Sequence, residues 1–164
     1  MSINESQEDL FAYDPSIPLP NTTAGFAEKR PLRILVADDN AINRNVVQTI
    51  LDRLGYQSIE ASGGKKAMAR LKKEPIDILF TDIDMPEMDG VELAHALRDH
   101  EKSSGVGSNK TEIIAITANV SPETKLRCKQ AGMNGFLEKP VDQDRISKQL
   151  LKSWRRIKSR RSRS

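Results

Sequence analysis

The chain is short of cysteine, histidine and aromatic residues, and no long apolar run interrupts its 164 residues. One cysteine, Cys128, cannot form an internal disulfide, so nothing calls for an oxidising compartment. Two histidines, His95 and His100, lie in or near one helical stretch; with Cys128 alone they make no zinc-type ligand cluster and read as surface or packing residues. Aromatic residues are only 4% of the chain. No stretch approaches the length of a membrane span. The first residues are polar and acidic (Glu5, Glu8, Asp9), without the basic-then-apolar pattern of a leader. The expectation is a cytoplasmic domain without membrane contact.

Charge is plentiful, at 30% Asp, Glu, Lys and Arg, but it is unevenly spread. Lys152, Arg155, Arg156, Lys158, Arg160, Arg161 and Arg163 fall within the last thirteen residues, with no acid among them. Setting them aside turns the net charge of +3 negative: an acidic body carries a basic end. Residues 155–164 therefore read as a basic C-terminal tail. Solvated charge is the plain reading; contact with nucleic acid or an acidic protein is the alternative, because such clusters attract polyanions. Residues 1–31 read as a flexible tail or linker, broken by Pro15, Pro18, Pro20 and Pro31, with Phe11, Tyr13, Ile17, Leu19 and Phe26 scattered through it.

From residue 32 to 154 the pattern becomes regular. The run "LRILVA" has the β-branched, continuous apolar character of a buried strand and stops at Asp38-Asp39-Asn40. Ile42, Val46, Val47, Ile50, Leu51 and Leu54 then recur at helical spacing until Gly55. "QSIEA", "IDILFT", "EIIAIT" and "GFLEK" are four further strands. Between them lie a helix opened by Ser62 and Gly63-Gly64, the helix "GVELAHALRDH", and one entered through Ser121-Pro122, a cap followed by proline at the first helical position. A last helix, capped by Asp142, carries Ile146, Leu150, Leu151 and Trp154. The stretch "DHEKSSGVGSNKT" (99–111) is expected to be a long polar loop. Five alternations of apolar strand and helix predict an α/β domain with a parallel sheet covered on both faces.

The strand ends carry the chemistry. Strand one ends in Asp38-Asp39, strand three in Asp82, strand four in Thr117 and strand five in Lys139-Pro140. With the order 2-1-3-4-5, strands one and three flank the point where the order reverses, and ligands bind beyond the carboxyl ends of strands at such a point. Three carboxylates would then converge. At about 4 Å and an effective dielectric of about 20, each pair costs roughly 4 kcal/mol. Lys139 offsets part of this, and an oxygen-only, carboxylate-rich site suits Mg²⁺ for the remainder. A lysine, a hydroxyl and a metal beside one carboxylate point to phosphoryl chemistry, with Asp82 as a nucleophile forming an acyl phosphate, and Lys139 and Thr117 holding the transferred oxygens.

The motifs "ILVADDN", "FTDIDMPEMDG", "IIAITAN" and "GMNGFLEKPV" stand in the order and spacing of one family. The chain from about Leu32 to Trp154 resembles the receiver domain of bacterial two-component response regulators, and "DDNAINRNVV" is closest in style to receivers of hybrid histidine kinases and phosphorelays. The resemblance implies a flavodoxin-like (βα)5 fold. It implies that Asp82 accepts a phosphoryl group from a phosphohistidine on a histidine kinase or histidine-phosphotransfer protein. Asp38 and Asp39 would bind Mg²⁺, with Asp39 and Asp82 in direct contact and the backbone carbonyl of Asp84 completing the protein ligands. Thr117 and Lys139 would contact the phosphoryl oxygens. Phe136 stands at the family's switch-aromatic position, and Pro140 would follow a cis peptide bond. Asp84 and Asn119 occupy positions that tune the lifetime of the acyl phosphate in the family.

On this reading the chain is a signalling domain that assists its own phosphorylation and dephosphorylation rather than an enzyme. Its switched surface would be the face of the fourth helix, fifth strand and fifth helix, read by a downstream protein or by a second copy. Two other classes are weighed against it. Phosphatases of the haloacid dehalogenase type share an Asp-x-Asp, here Asp82-Ile83-Asp84, but carry it on the first strand with an acidic pair after it, not before. A phosphorylation-independent interaction module would keep the shape without needing every site residue. The Met1 start and the distinct tails favour a free-standing receiver over a piece of a hybrid kinase.

Overall fold

The computed structural model describes residues 11, 17–18, 24–107 and 110–162. Tyr13, Leu19 and Arg163 of the expected tails lie outside the described residues. The strands are β1 (Ile34–Ala37), β2 (Ile59–Ala61), β3 (Ile78–Asp82), β4 (Glu112–Thr117) and β5 (Gly135–Glu138). Five helices alternate with them: α1 (Ala41–Arg53), α2 (Gly64–Lys73), α3 (Gly90–Ser104), α4 (Pro122–Gln130) and α5 (Gln143–Ser162). A single helical turn, Phe26–Lys29, precedes β1. The sheet is parallel, as the alternation of strand and helix predicts, and its order β2-β1-β3-β4-β5 is the one the family resemblance implies.

Strand periodicity divides the core into two layers. Leu35, Leu79, Ile113 and Ala115 face one side of the sheet, against Ala67 and Met68 of α2, Leu93 and Leu97 of α3, and Cys128 of α4. Ile34, Val36, Ile78, Phe80, Ile114 and Ile116 face the other, against Val47, Ile50 and Leu51 of α1 and Ile146, Leu150 and Ile157 of α5. All five residues of β3 and all six of β4 are buried, so these strands have no polar face to alternate.

Four helix starts are capped by short polar side chains, those at Ser121 and Asp142 as expected. The Asn40 side chain accepts from the amides of Ile42 and Asn43 at the head of α1. Asp89 and Glu92 form a reciprocal capping box on α3. Ser121 accepts from the Thr124 amide on α4, and Asp142 Oδ1 accepts from the Arg145 amide on α5. At α2 the expectation differs in detail: Gly63 stands at the cap without a side-chain bond, and the Ser62 hydroxyl accepts instead from Lys66 Nζ at 3.0 Å.

Three larger differences concern segments expected to be irregular. The polar stretch from residue 99 is helical as far as Ser104, where Gly105 ends α3 with φ 62°; a helix face turned to water needs no apolar signal. The boundary drawn at residue 154 falls inside α5, which runs on to Ser162. Arg156 and Arg160 reach the fully buried Glu112 at 2.7 Å each, and Arg161 reaches Asp77 at 2.6 Å. In the N-terminal segment, Ile17 and Phe26 are buried in the layer beneath α1 and α5, and Tyr56 donates its hydroxyl to the Arg30 carbonyl at 2.7 Å. Among the described residues, no helix is long and apolar enough to cross a membrane.

Candidate functional site

The carboxyl ends of β1 and β3 lie side by side, with Ala37 paired to Thr81. The next residue of each strand line is an aspartate, Asp38 or Asp82, so in-register pairing alone brings the two acids together. Both are buried, while Asp39, one residue further on, is exposed. One carboxylate oxygen from each of Asp38, Asp39 and Asp82 lies within 4.8 Å of the others.

Local hydrogen bonds hold this convergence in place. Asp38 Oδ1 accepts from the Asn40 amide at 2.9 Å, and its backbone carbonyl accepts from Arg44 Nη1 at 2.8 Å. Asp82 Oδ1 accepts from the Ile83 amide at 2.9 Å. The Thr81 hydroxyl donates to the Asp82 carbonyl at 2.8 Å. Gly90, the first residue of α3, lies so close to that carbonyl that a Cβ there would collide with it. Its amide closes the "MPEMDG" turn by donating to the Ile83 carbonyl at 2.8 Å. The turn includes Glu87 at φ 68°, the one described non-glycine residue with positive φ.

Lys139 comes from the far side of the sheet. Its ammonium stands 3.3 Å from Asp38 Oδ2 and 3.4 Å from Asp82 Oδ1, between the two buried acids. Its amide donates to the Thr117 carbonyl at 2.9 Å, and the Lys139–Pro140 peptide is cis. Thr117 is fully buried at the end of β4, and its hydroxyl accepts from the Asn119 amide at 3.1 Å. Asp84 is exposed in the loop after β3, and its carboxylate is not part of the cluster. Asn119 is likewise exposed.

The electrostatics are those of an underneutralised pocket. Burial pushes the Asp82 carboxyl above the usual range, and the neighbouring Asp38 charge pushes it further; Lys139 pulls in the opposite direction without cancelling the two. Three oxygen-donor carboxylates converge where the Lys139 ammonium pairs with two of them, Asp38 and Asp82, which fits a hard divalent cation better than a zinc-type ion. Beside the acids opens a cavity of about 260 Å³, bounded by Asp38, Asn43, Val46, Asp82, Lys139 and Pro140.

Two features escaped the sequence reading. One is the wall of the cavity: Asn43 and Val46 appear in sequence only as α1 residues, and no local signal marks them as facing the acids. The other lies at Phe136. Its ring is buried, and the Phe11 ring stacks on it with centroids 5.6 Å apart and planes 26° from parallel. Lys125 Nζ lies 5.6 Å from the Phe136 centroid, and Lys129 Nζ lies 5.4 Å from that of Phe11. An isolated phenylalanine in a polar lead carries no signal of such a contact.

A doubly wound parallel sheet with acids from its first and third strands and a lysine from its fifth defines a carboxylate-centred signalling module of the receiver class. The sequence matches the family described as response regulator receiver domain over residues 34–151, and the chain belongs to that family. It is 36% identical over 153 residues to the sensor histidine kinase RcsC of Escherichia coli K12; the match takes in 93% of this chain but only 15% of that protein. Among solved structures it resembles the receiver domain of Ssk1 from Saccharomyces cerevisiae, crystallised with the histidine phosphotransfer signalling protein Ypd1 (TM-score 0.68, 30% identity, 73% of this chain and 86% of that one). It also resembles the receiver domain of the sensor histidine kinase PA1611 of Pseudomonas aeruginosa, which holds a magnesium ion in its active-site cleft (TM-score 0.67, 28% identity, 75% of this chain and 97% of that one). The phosphatase alternative finds no support in these likenesses.

Proposed function

We propose that this receiver domain carries a phosphoryl group reversibly on Asp82, taken from a phosphohistidine on a histidine kinase or histidine-phosphotransfer protein. An Asp82 oxygen attacks phosphorus; the new P–O bond forms as the donor's P–N bond breaks, and the imidazole leaves with the bonding pair and takes up a proton. The observation that carries this reading is the meeting of Asp38, Asp39 and Asp82 within 4.8 Å, with the Lys139 ammonium 3.4 Å from Asp82. A nucleophile, its charge partner and a place for a cation then share one pocket.

The carboxylates of Asp39 and Asp82, the Asp84 backbone carbonyl and the neighbouring Asp38 would hold Mg²⁺. The ion would supply positive charge to the transferring oxygens. Lys139 neutralises the same oxygens from the other side. The Thr117 hydroxyl oxygen now accepts from the Asn119 amide, and the hydroxyl would turn from it to donate to the new acceptors. Phosphorylation adds roughly −1.5 to −2 charge at this point, which is what makes the turn favourable. Its departure lets Phe136 move inward and reshapes the face of α4, β5 and α5. That face would be read by a downstream protein or by a second copy of the chain.

The donor must reach Asp82 over the ends of the strands. Val46 (44% exposed) lines the cavity there, and Ile42 (76% exposed) stands one turn before it on α1, an exposed apolar pair suited to a helical partner that presents its histidine to the cavity. The reading places the domain in the cytoplasm, without a membrane role, and the transfer counts as signalling rather than turnover. Contact of the basic C-terminal segment with nucleic acid is the weaker reading, since Arg156, Arg160 and Arg161 are already committed to Glu112 and Asp77. The test is labelling with acetyl phosphate or a phosphorylated histidine donor in Mg²⁺. The wild-type chain should label and Asp82→Asn should not; full labelling of Asp82→Asn would end the assignment.

A further inference from the structure

The contact between Phe11 and Phe136 joins a residue far from the site in sequence to the aromatic that the phosphoacceptor reading makes the switch. Three observations bear on it. The rings are stacked, not merely near: 5.6 Å between centroids and 26° between planes is an offset-stack geometry. The stack is bracketed by cations, Lys125 over Phe136 and Lys129 over Phe11, both from exposed positions on α4 and both within cation–π range. Charge is complementary on the larger scale. Glu5, Glu8, Asp9 and Asp14 surround Phe11 in sequence, and the first lysine or arginine of the chain is Lys29. An aromatic residue among acids therefore meets an aromatic residue among lysines.

We propose that the face of α4 and β5 centred on Phe136 is a docking surface for an aromatic residue in an acidic segment, and that the chain's own Phe11 is its occupant before phosphorylation. The proposal rests on the phosphoacceptor reading and adds a regulator to it. Phe11 stacks on the Phe136 ring and, half-buried, packs against the layer of core beneath α2, α3 and α4. Inward movement of that ring removes the stack. Phe11 therefore binds one of the two states better, which is all that a ligand needs to shift an equilibrium, and the effect is reciprocal. The Thr117 hydroxyl, bonded to Asn119 and not to the acid pocket, belongs to the same unswitched arrangement. A downstream protein that reads this face has to displace Phe11 or wait for phosphorylation to release it.

The experiment uses the full chain, with ring-to-ring contacts followed by NMR and labelling by acetyl phosphate in Mg²⁺ followed by rate. Phe11 and Phe136 should show through-space contacts in the untreated chain that disappear on labelling. Phe11→Ala should label about threefold faster, the scale of one aromatic stack, and Phe11→Tyr, which keeps the stack, should label at the wild-type rate. Charge reversal at Lys125 and Lys129 together should weaken the ring contacts as Phe11→Ala abolishes them. Absence of ring contacts in the untreated chain, their persistence after labelling, or equal rates for wild type and Phe11→Ala would each overturn the inference while labelling itself proceeds. A wild-type chain that never labels, with its ring contacts intact, would overturn the phosphoacceptor reading and the coupling together.

Discussion

At the scale of single residues, the molecule stores an unfavourable arrangement at Asp82. Its carboxyl is raised by burial and by the Asp38 charge, so the native chain holds a proton over a range where the unfolded chain has lost it. The sign follows. In metal-free buffer, stability contributed by the protonated form is present at low pH, falls as pH rises from the ordinary carboxylate range through the raised value, and then levels off. Asp82→Asn should therefore melt higher than wild type in EDTA at neutral pH and near the wild-type temperature once both are below that window. Added Mg²⁺ should stabilise the wild type by about 2.7 kcal/mol at a hundred times its dissociation constant and Asp82→Asn by less, which thermal melts with and without the ion will resolve. Lys139 touches both Asp38 and Asp82, and on the proposed function it would couple the phosphoryl group to the switch rather than act as nucleophile. Lys139→Ala should still accept phosphate yet fail to strengthen partner binding when labelled; a wild-type binding response in a pull-down would refute its part in the switch.

At the scale of elements, α5 does more than close the fold. Glu112 opens β4 with no exposure at all, an expensive place for a carboxylate, and it is tolerated because Arg156 and Arg160 each bring a guanidinium to 2.7 Å. The same two arginines donate to the Asn134 and Lys110 carbonyls, tying the last helix to the loops at the amino ends of the strands. Removing both guanidinium groups leaves a buried charge uncompensated. Arg156→Ala with Arg160→Ala should lower unfolding stability by about 3–5 kcal/mol, read from the denaturant midpoint. A deletion of residues 155–164 is thus a structural lesion before it is a test of polyanion binding. At the other end of the sheet the requirement is steric: α3 can start against the Asp82 carbonyl only because Gly90 has no side chain.

At the scale of the whole molecule, the two core layers close around fully buried groups. Cys128 lies fully buried on the inner face of α4, and burial pushes its thiol up to about 11, with Arg127 pulling it down and Asp89 pushing it up more weakly. It should be inert to a thiol reagent at pH 8 in the native chain and react at the rate of an open thiol in denaturant. Fast native reaction would mean that α4 opens locally. Because α4 also carries Lys125 and Lys129 over the stacked rings, the same measurement on Phe11→Ala reports how far that stack holds the helix shut.

Much of this was legible in one dimension. The continuous apolar runs before Asp38, Asp82 and Thr117 require strands buried on both faces, and side-chain periodicity then leaves the first polar residue after each strand at the edge where a ligand can sit. Ser121 and Asp142 announce helix starts because their short side chains satisfy amides that no helical carbonyl can reach, whereas the caps at Asn40 and Asp89 emerge only in the structure. What stayed hidden depends on distance along the chain. Nothing local distinguishes Arg156 and Arg160, pinned to a buried acid, from Arg155 and Lys158 at the same end. Phe11, separated from Phe136 by most of the chain, gives no hint of a partner. Strand, helix and acid pocket came from the sequence by itself, because propensity, periodicity and strand-end position act over a few residues. Which cations are buried in ion pairs, and which ring covers Phe136, only the tertiary structure decided, because both require residues far apart in sequence to be brought within a few ångströms by the closing of the sheet.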